Sequence, residues 1–565
     1  MKTRMIAVLL TLCLLFTLCA CGAEPGAASA GEPENSGTSS IGNGEGSEPV
    51  EEEPVTDAVA SVAESILYDP DITPMDLEGV AYLSGSWYEM GTQYAVQCDY
   101  GIRRTYAQMG AQMLNNLDGD EEALIQIIDG YLAEIEAECP DLYDFVMGVN
   151  DTIEDMTLEQ IAIGTVCENA YASGNMSMQA ECETISAWGD ATADGHLLTA
   201  TNGDTLIDYT FHHYFPVVVM YPDNGNVVIG GSGASSNTII NGAGVAMLQS
   251  GGQTALKNDG DTGCPDYYAN LYAMTQCNTA NELYEMCAGT FYRPVMGNCQ
   301  MVDTSGTALH YEHTASHSAT RYSGDYGEKN YQIANNGYLT DEMQTSLTND
   351  GYWDDCPVRY ATAEQVLLEH LGDIDIGWMN EAIGSRRYYL DGQWSDENWS
   401  LGDDMYYASD SAGINDKTTV RAICDVTDGV LYRQLGSGDI YNNALPGATS
   451  RFFRITMSDS VAGSNRQAGR DACMLIWYAS YDLSHANEPT TSQRFILLDR
   501  AKEYYQQGAS YTQMARLAEA KGDTNEANRL YALGASQFCL AQEYAQNAAI
   551  EDYSFTAIEG TSYTH

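Results

Sequence analysis

The chain changes period near residue 183, and that change limits the architectures open to it. Over about 58–180 apolar residues recur every three or four positions, most clearly in 100–117 and 121–137, with Pro140 closing the second run. That spacing predicts helices. Further on come short stretches rich in Val, Ile, Thr and Tyr between Gly, Asn and Asp: 196–201, 215–221, 226–229, 244–248, 308–313, 418–424 and 429–434. These are strand and hairpin signals. Helical runs at 267–274, 281–287 and 362–370 interrupt them, so 182–445 is expected as sheets covered by helices, an α+β domain. The remainder, 446–565, is expected as a mainly helical C-terminal extension with helices at 495–507, 510–520 and 524–548. Asp523-Thr524-Asn525-Glu526 has capping-box spacing at the start of the third.

The first sixty residues follow another logic. Lys2 and Arg4 precede an apolar run over 5–18, too short for a stable span but suited to a secretory signal. The run ends in Leu18-Cys19-Ala20-Cys21-Gly22, which resembles the lipobox of bacterial lipoproteins. That resemblance implies a signal peptide at 1–20 and a lipid on Cys21, so everything after it is expected outside the cytoplasm, anchored to the bacterial cell membrane. Residues 21–57 shift to Gly, Ser, Pro and Glu and have too few apolar groups to offset the entropy of ordering. They are expected as a disordered acidic tether, and 58–181 as a helical leading segment.

Composition excludes some partners. The 24 basic and 80 acidic side chains leave a formal charge of −56, which argues against nucleic acid and against direct contact with an anionic membrane surface. Of fifteen cysteines, Cys13 and Cys19 leave with the signal and Cys21 carries lipid. The rest show no CxxC pair and no zinc-type His/Cys spacing. Cys264, Cys277, Cys287 and Cys299 lie close enough in sequence to suggest one or two disulfides after export. His310, His313 and His317 invite a metal, but on a strand His310 and His313 point to opposite faces, so no metal is expected.

Chemistry concentrates where the period changes. Glu181-Cys182-Glu183-Thr184-Ile185-Ser186 begins the strand-rich region, and Thr192-Ala193-Asp194-Gly195 turns the chain toward Thr201-Asn202-Gly203-Asp204. An antiparallel hairpin of that length returns Asp204 to the neighbourhood of Cys182. Four other segments carry recognisable patterns. They are Gly85-Ser86-Trp87-Tyr88-Glu89-Met90-Gly91-Thr92-Gln93, Asn241-Gly242-Ala243-Gly244-Val245-Ala246, Ala334-Asn335-Asn336-Gly337-Tyr338-Leu339, and Arg359-Tyr360 with Ala363-Glu364 and Leu367-Leu368. Together, over about 80–440, these resemble the acyl-CoA:6-aminopenicillanic-acid acyltransferase family, the peptidase C45 branch of the N-terminal-nucleophile hydrolases.

The resemblance implies an αββα sandwich and self-cleavage between Glu181 and Cys182. The freed α-amine would then serve as general base for the thiol of the same residue. It further implies Cys182 as nucleophile, Asp204 as the group that holds the α-ammonium, Asn335 as oxyanion or positioning donor, and Arg359 as an orienting charge. Asn202 and Gln249 are expected at the substrate. The activity implied is amide hydrolysis or acyl transfer on a small-molecule amide or acylated amino acid, with no cofactor and no membrane contact beyond the lipid. Two departures qualify the pattern: Glu181 stands where the family often has Gly, and Thr201 replaces its usual Arg. Alternatives are a bile-salt or phospholipase-B-like hydrolase with the same nucleophile logic, and an inactive lipoprotein binding module.

Overall fold

The computed structural model describes residues 79–167, 181–204, 217–231, 238–251, 266–289, 297–314, 317–344, 356–383, 389–390, 392–394, 418–434, 451–486 and 489–555. The signal, the tether, Cys21 and Cys264 lie outside the described residues. The leading segment gives β1 (Val80–Gly85), α1 (Trp87–Thr105), α2 (Ala111–Asn116), α3 (Glu121–Glu138), α4 (Pro140–Thr152) and α5 (Leu158–Gly164). The middle gives β2 (Glu181–Ala187), β3 (Leu198–Asp204), β4 (Val217–Pro222), β5 (Val228–Gly231), β6 (Thr238–Asn241), β7 (Val245–Gly251), α6 (Asp266–Gln276) and α7 (Ala280–Gly289). It continues with β8 (Gly297–Asp303), β9 (Ala308–His313), β10 (Ser318–Tyr322), β11 (Tyr331–Asn335), α8 (Asp341–Gln344), α9 (Cys356–Leu368) and α10 (Ile376–Ile383). After the short pair β12 (Tyr389–Leu390) and β13 (Gln393–Trp394) come β14 (Thr418–Asp425), β15 (Val430–Gln434), β16 (Phe452–Thr456), α11 (Val461–His485), α12 (Gln493–Ala520) and α13 (Thr524–Ala548).

Among the described residues the strands form an eight-stranded sheet, β1-β4-β5-β6-β7-β8-β9-β10, and a six-stranded sheet, β11-β2-β3-β14-β15-β16. Polar side chains stitch the two across their facing sides: Ser186 donates to Gln300 at 2.9 Å, Thr238 to Thr201 at 3.0 Å, and Gln300 to Gln332 at 3.3 Å. On the far side of the first sheet, Asn241 Nδ2 donates to the last carbonyls of α6, and Asp303 accepts the Ala280 amide that opens α7. On the far side of the second, Tyr331 reaches Glu364 of α9 and Asn202 reaches the Ile383 carbonyl of α10.

The leading segment is not all helical. β1 joins the first sheet parallel to β4, and its side chains are buried on both faces: Ala81 and Leu83 pack with the leading helices, Val80 and Tyr82 with the inter-sheet core. A strand buried on both faces shows no alternation to read. Its outer edge, a place where strands of other chains could add, is closed by side chains. Gln93 brackets Ser84 N and O at 3.1 and 2.7 Å, Gln97 donates to Tyr82 O at 3.1 Å, and Ser536 of α13 accepts from Tyr82 N at 3.0 Å. Ser86 and Glu89 form the capping box that starts α1. Gly91 lets α1 cross α4, since a Cβ there would lie 2.1 Å from the Phe145 carbonyl oxygen. Ser86, Glu89, Gly91 and Gln93 of the Gly85–Gln93 pattern thus each have a structural duty.

The C-terminal region does not stop at the sheet. β16 pairs with β15, so the boundary expected at 445/446 cuts a continuous ladder. α13 closes the end of the stack where β1 and β16 are the edges. Besides Ser536 on β1, its Gln546 carbonyl accepts from Arg451 at 2.7 Å just before β16. The two helices expected at 495–507 and 510–520 are one, α12. Gly508, which reads as a break in sequence, sits at a crossing where a Cβ would meet Phe538 at 2.7 Å and the Gly534 carbonyl oxygen at 3.0 Å. Pro140 ends α3 and occupies the first turn of α4. No helix of the described residues is long and apolar enough to cross a membrane. The suggested disulfides are not formed among the described residues: Cys277, Cys287 and Cys299 are buried and none is bridged to another.

Candidate active site

The hairpin expected from sequence brings its ends together. β2 and β3 pair with Glu181 opposite Asp204, Cys182 opposite Gly203 and Glu183 opposite Asn202. Because side chains alternate along a strand, Thr184 and Ser186 share the face of Cys182, and Ser186 bonds across to the first sheet. Glu183, Ile185 and Ala187 turn to the other face, where Ile185 and Ala187 pack with Ala363 and Leu367 of α9. Cys182 is buried at the start of β2.

Its backbone is gripped from two sides. β11 ends at Asn335, opposite Glu183, so the ladder has no further strand residue to offer Cys182. The next residue, Asn336, supplies a side chain instead: Cys182 N donates to Asn336 Oδ1 at 2.6 Å. Arg359, 2% exposed on α9, donates from Nη2 to Cys182 O at 2.6 Å and from Nη1 to the same Asn336 Oδ1 at 3.1 Å. Its Nη2 is also 3.3 Å from Glu183 Oε2. A planar guanidinium suits such a fork. Asn336 and Arg359 thus hold the peptide of Cys182, with Glu183 beside Arg359; of the three, only Arg359 is a site residue expected from sequence.

The other expected residues lie as follows. Asn335 spends Nδ2 on Cys356 O at 2.8 Å and Oδ1 on Gly337 N at 2.8 Å, so its carboxamide ties the first residue of α9 to the turn after β11. Asn202 holds Ile383 O at 2.8 Å on the helix side of the second sheet. Gln249, expected at the substrate, lies on the other face of its strand from Ser250. Its Nε2 donates to Cys299 Sγ at 3.8 Å, while Ser250 beside it donates to Asn335 O at 3.0 Å. Neighbouring strand residues face opposite ways, so Ser250 faces the sheet of Cys182 and Gln249 faces away. Asn298, opposite Ser250 on β8, donates to the same Asn335 O at 2.7 Å.

The histidines divide as alternation requires. His310 accepts from Arg321 Nε at 3.1 Å, and burial with Arg321 beside it holds this imidazole well below its usual pKa. His313 stacks on Tyr311 at 5.0 Å. One group escaped the sequence reading: His196, Asp425 and Asp428 bring an imidazole and two carboxylates within 4.8 Å of one another. His196 Nδ1 is 2.9 Å from Asp425, whose hydrogen bond raises the imidazole pKa. The trio is partly exposed and pairs internally.

No family model and no curated protein matches this chain. Similar solved structures include penicillin V acylase from Agrobacterium tumefaciens, at 12% identity and TM-score 0.27 over 51% of this chain and 82% of that one. Two variants of conjugated bile acid hydrolase from Clostridium perfringens are also similar. One has 14% identity and TM-score 0.26 over 45% and 89% of the two chains, the other 11% and 0.18 over 46% and 82%. Likeness at these TM-scores carries no argument about this chain's activity.

Proposed function

We propose that this chain is a cysteine amide hydrolase or acyltransferase of the N-terminal-nucleophile kind, exported and tethered by a lipid on Cys21. The observation that carries the reading is the double grip on Cys182: its N–H on Asn336 and its carbonyl on Arg359, both from buried side chains. Holding that peptide still aims the thiol, and geometry of this kind supplies much of a catalytic advantage. The layer order, α6 and α7, first sheet, second sheet, α9 and α10, supports an αββα sandwich.

In the proposed reaction Cys182 Sγ first attacks the carbonyl carbon of Glu181. The Glu181–Cys182 amide becomes a thioester, the nitrogen takes the thiol proton, and water hydrolyses the thioester to leave Cys182 with a free α-amine. That amine, with an unperturbed pKa of about 8, then takes the thiol proton in each turnover. The thiolate attacks a substrate amide, the leaving amine takes the proton, and water or an acceptor amine resolves the acyl-enzyme. Asn336, Arg359 and Asp204 are assigned to orient the amine and the developing charge. Hydrolysis is the favoured outcome outside a cell, where acyl-CoA donors are scarce.

The test is intact mass and N-terminal sequencing of protein made without 1–20, beside Cys182→Ala. The expected result is two chains split before Cys182 in the wild type and one chain in the variant. An uncut wild type that also turns over none of a panel of N-acyl amino acids, conjugated bile salts and lysophospholipids would sink the proposal.

A further inference from the structure

We propose that Glu312, on the first sheet, is a positioning residue that sets Asn336 against the nitrogen of Cys182; this rests on the reading of Cys182 as nucleophile. Asn336 sits in the segment between β11 and α8, just beyond the last paired strand residue. That segment is fixed at both ends. On its near side Asn335 O receives Ser250 and Asn298 at 3.0 and 2.7 Å. On its far side Glu312, fully buried on β9, takes three donors from two consecutive residues: Leu339 N at 2.7 Å, Thr340 N at 3.1 Å and Thr340 Oγ1 at 2.6 Å. Between the two anchors Tyr338 OH donates to His313 O at 2.9 Å, from the residue next to Glu312. Asn336 therefore hangs between a pair of polar anchors supplied by the first sheet, while the residue it serves belongs to the second.

The chemistry of the anchor points the same way. A carboxylate removed from water is costly unless it is paired. Among the described residues no lysine or arginine pairs with Glu312. His310 lies beside it, Nδ1 to Oε1 4.0 Å, and burial disfavours the charged form of that imidazole; Tyr326 is also within its field. Arg321 is committed to Glu328. The acceptor capacity of Glu312 is spent on one loop, and that loop carries Asn336. A neutral glutamine of similar size would pack as well but could not accept all three donors, because its Nε2 only donates.

The experiment uses the full chain without 1–20 and follows three variants: Glu312→Gln, Thr340→Val and Thr340→Ser. Readouts are the first-order rate of cleavage before Cys182, kcat and KM on whichever panel substrate is turned over, and amide exchange of 336–340. The expected result is a loss of about tenfold or more in cleavage rate and kcat for Glu312→Gln, with KM little changed. Thr340→Val should show a smaller loss in the same direction, and Thr340→Ser, which keeps the hydroxyl, should restore the rate. Cleavage and kcat at wild-type rates in both Glu312→Gln and Thr340→Val would overturn the proposal. Should the wild type neither cleave nor turn over, the reading of Cys182 fails by itself. Faster exchange at 336–340 in Glu312→Gln would then still support the anchor, and unchanged exchange would overturn it. Thr340→Val decides the matter in the same way if Glu312→Gln does not fold.

Discussion

Two buried arginines, Arg321 and Arg359, are among the bulkiest fully enclosed side chains of this protein, and each has a glutamate beside it. Arg321 is closed on itself. Nη1 meets both oxygens of Glu328 at 2.9 and 2.8 Å, Nε meets His310, and Nη2 donates to Ile333 O, tying the edge of the first sheet to that of the second. Arg359 is differently disposed: Nη2 donates to the carbonyl of Cys182 at 2.6 Å and lies 3.3 Å from Glu183 Oε2. One cation is matched to a carboxylate and holds architecture. The other is shared among the Cys182 carbonyl, the Asn336 side chain and Glu183. The same pair of residue types serves a frame in one place and a candidate reaction centre in the other, and the partners distinguish them.

The comparison can be broken experimentally. Glu328→Gln strands a buried guanidinium and should cost about 3–5 kcal/mol, seen as a large drop in urea midpoint. Refolded Glu328→Gln protein should keep its cleavage before Cys182. Arg359→Lys replaces a fork by a point charge that cannot serve Cys182 O and Asn336 Oδ1 together. The expected outcome is a smaller stability loss, about 1–2 kcal/mol, with cleavage before Cys182 slowed about a hundredfold. Equal stability losses in the two variants, or a fast-cleaving Arg359→Lys, would erase the distinction.

Asp471 on α11 sharpens the contrast as a buried acid whose charge is poorly compensated. Burial pushes its pKa up to about 6, against the opposing pull of Arg454 and Gln467. The folded-state value lies above the unfolded one, so its contribution to stability is complete below about pH 4 and is lost as pH rises through about 6, roughly 3 kcal/mol in all. Asp471→Asn should abolish that fall and stabilise the protein near neutral pH, by less than Glu328→Gln destabilises it. A urea midpoint that keeps its wild-type pH dependence in Asp471→Asn would remove Asp471 from the account.

Periodicity carried the broad layout. The span of β9 and the limits of α13 coincide with those expected, and the β2–β3 hairpin returns the backbone of Asp204 to that of Glu181. The details that periodicity leaves open share a cause: along a strand one residue separates two faces. Gln249 and Ser250, or Asn335 and Asn336, are interchangeable as text. Only register says which of each pair faces Cys182. Glu312 is an unremarkable acid in an acidic chain until Leu339 and Thr340, 27 and 28 positions away, are brought to it. β1 escaped because both of its faces are covered, and the Gly85–Gln93 pattern, legible as a family resemblance, turned out to describe a cap, a crossing and a sealed edge.

The sealed edge has a consequence for a severed chain. β1 precedes the expected cut and α13 follows it, yet Ser536 of α13 bonds the β1 backbone and β1 lies hydrogen-bonded along β4. A break between 181 and 182 would therefore change the number of polypeptides without changing the particle. Denaturing gels would show two bands where gel filtration shows one species, and the leading segment would persist as a permanent subunit rather than depart as a discarded propeptide.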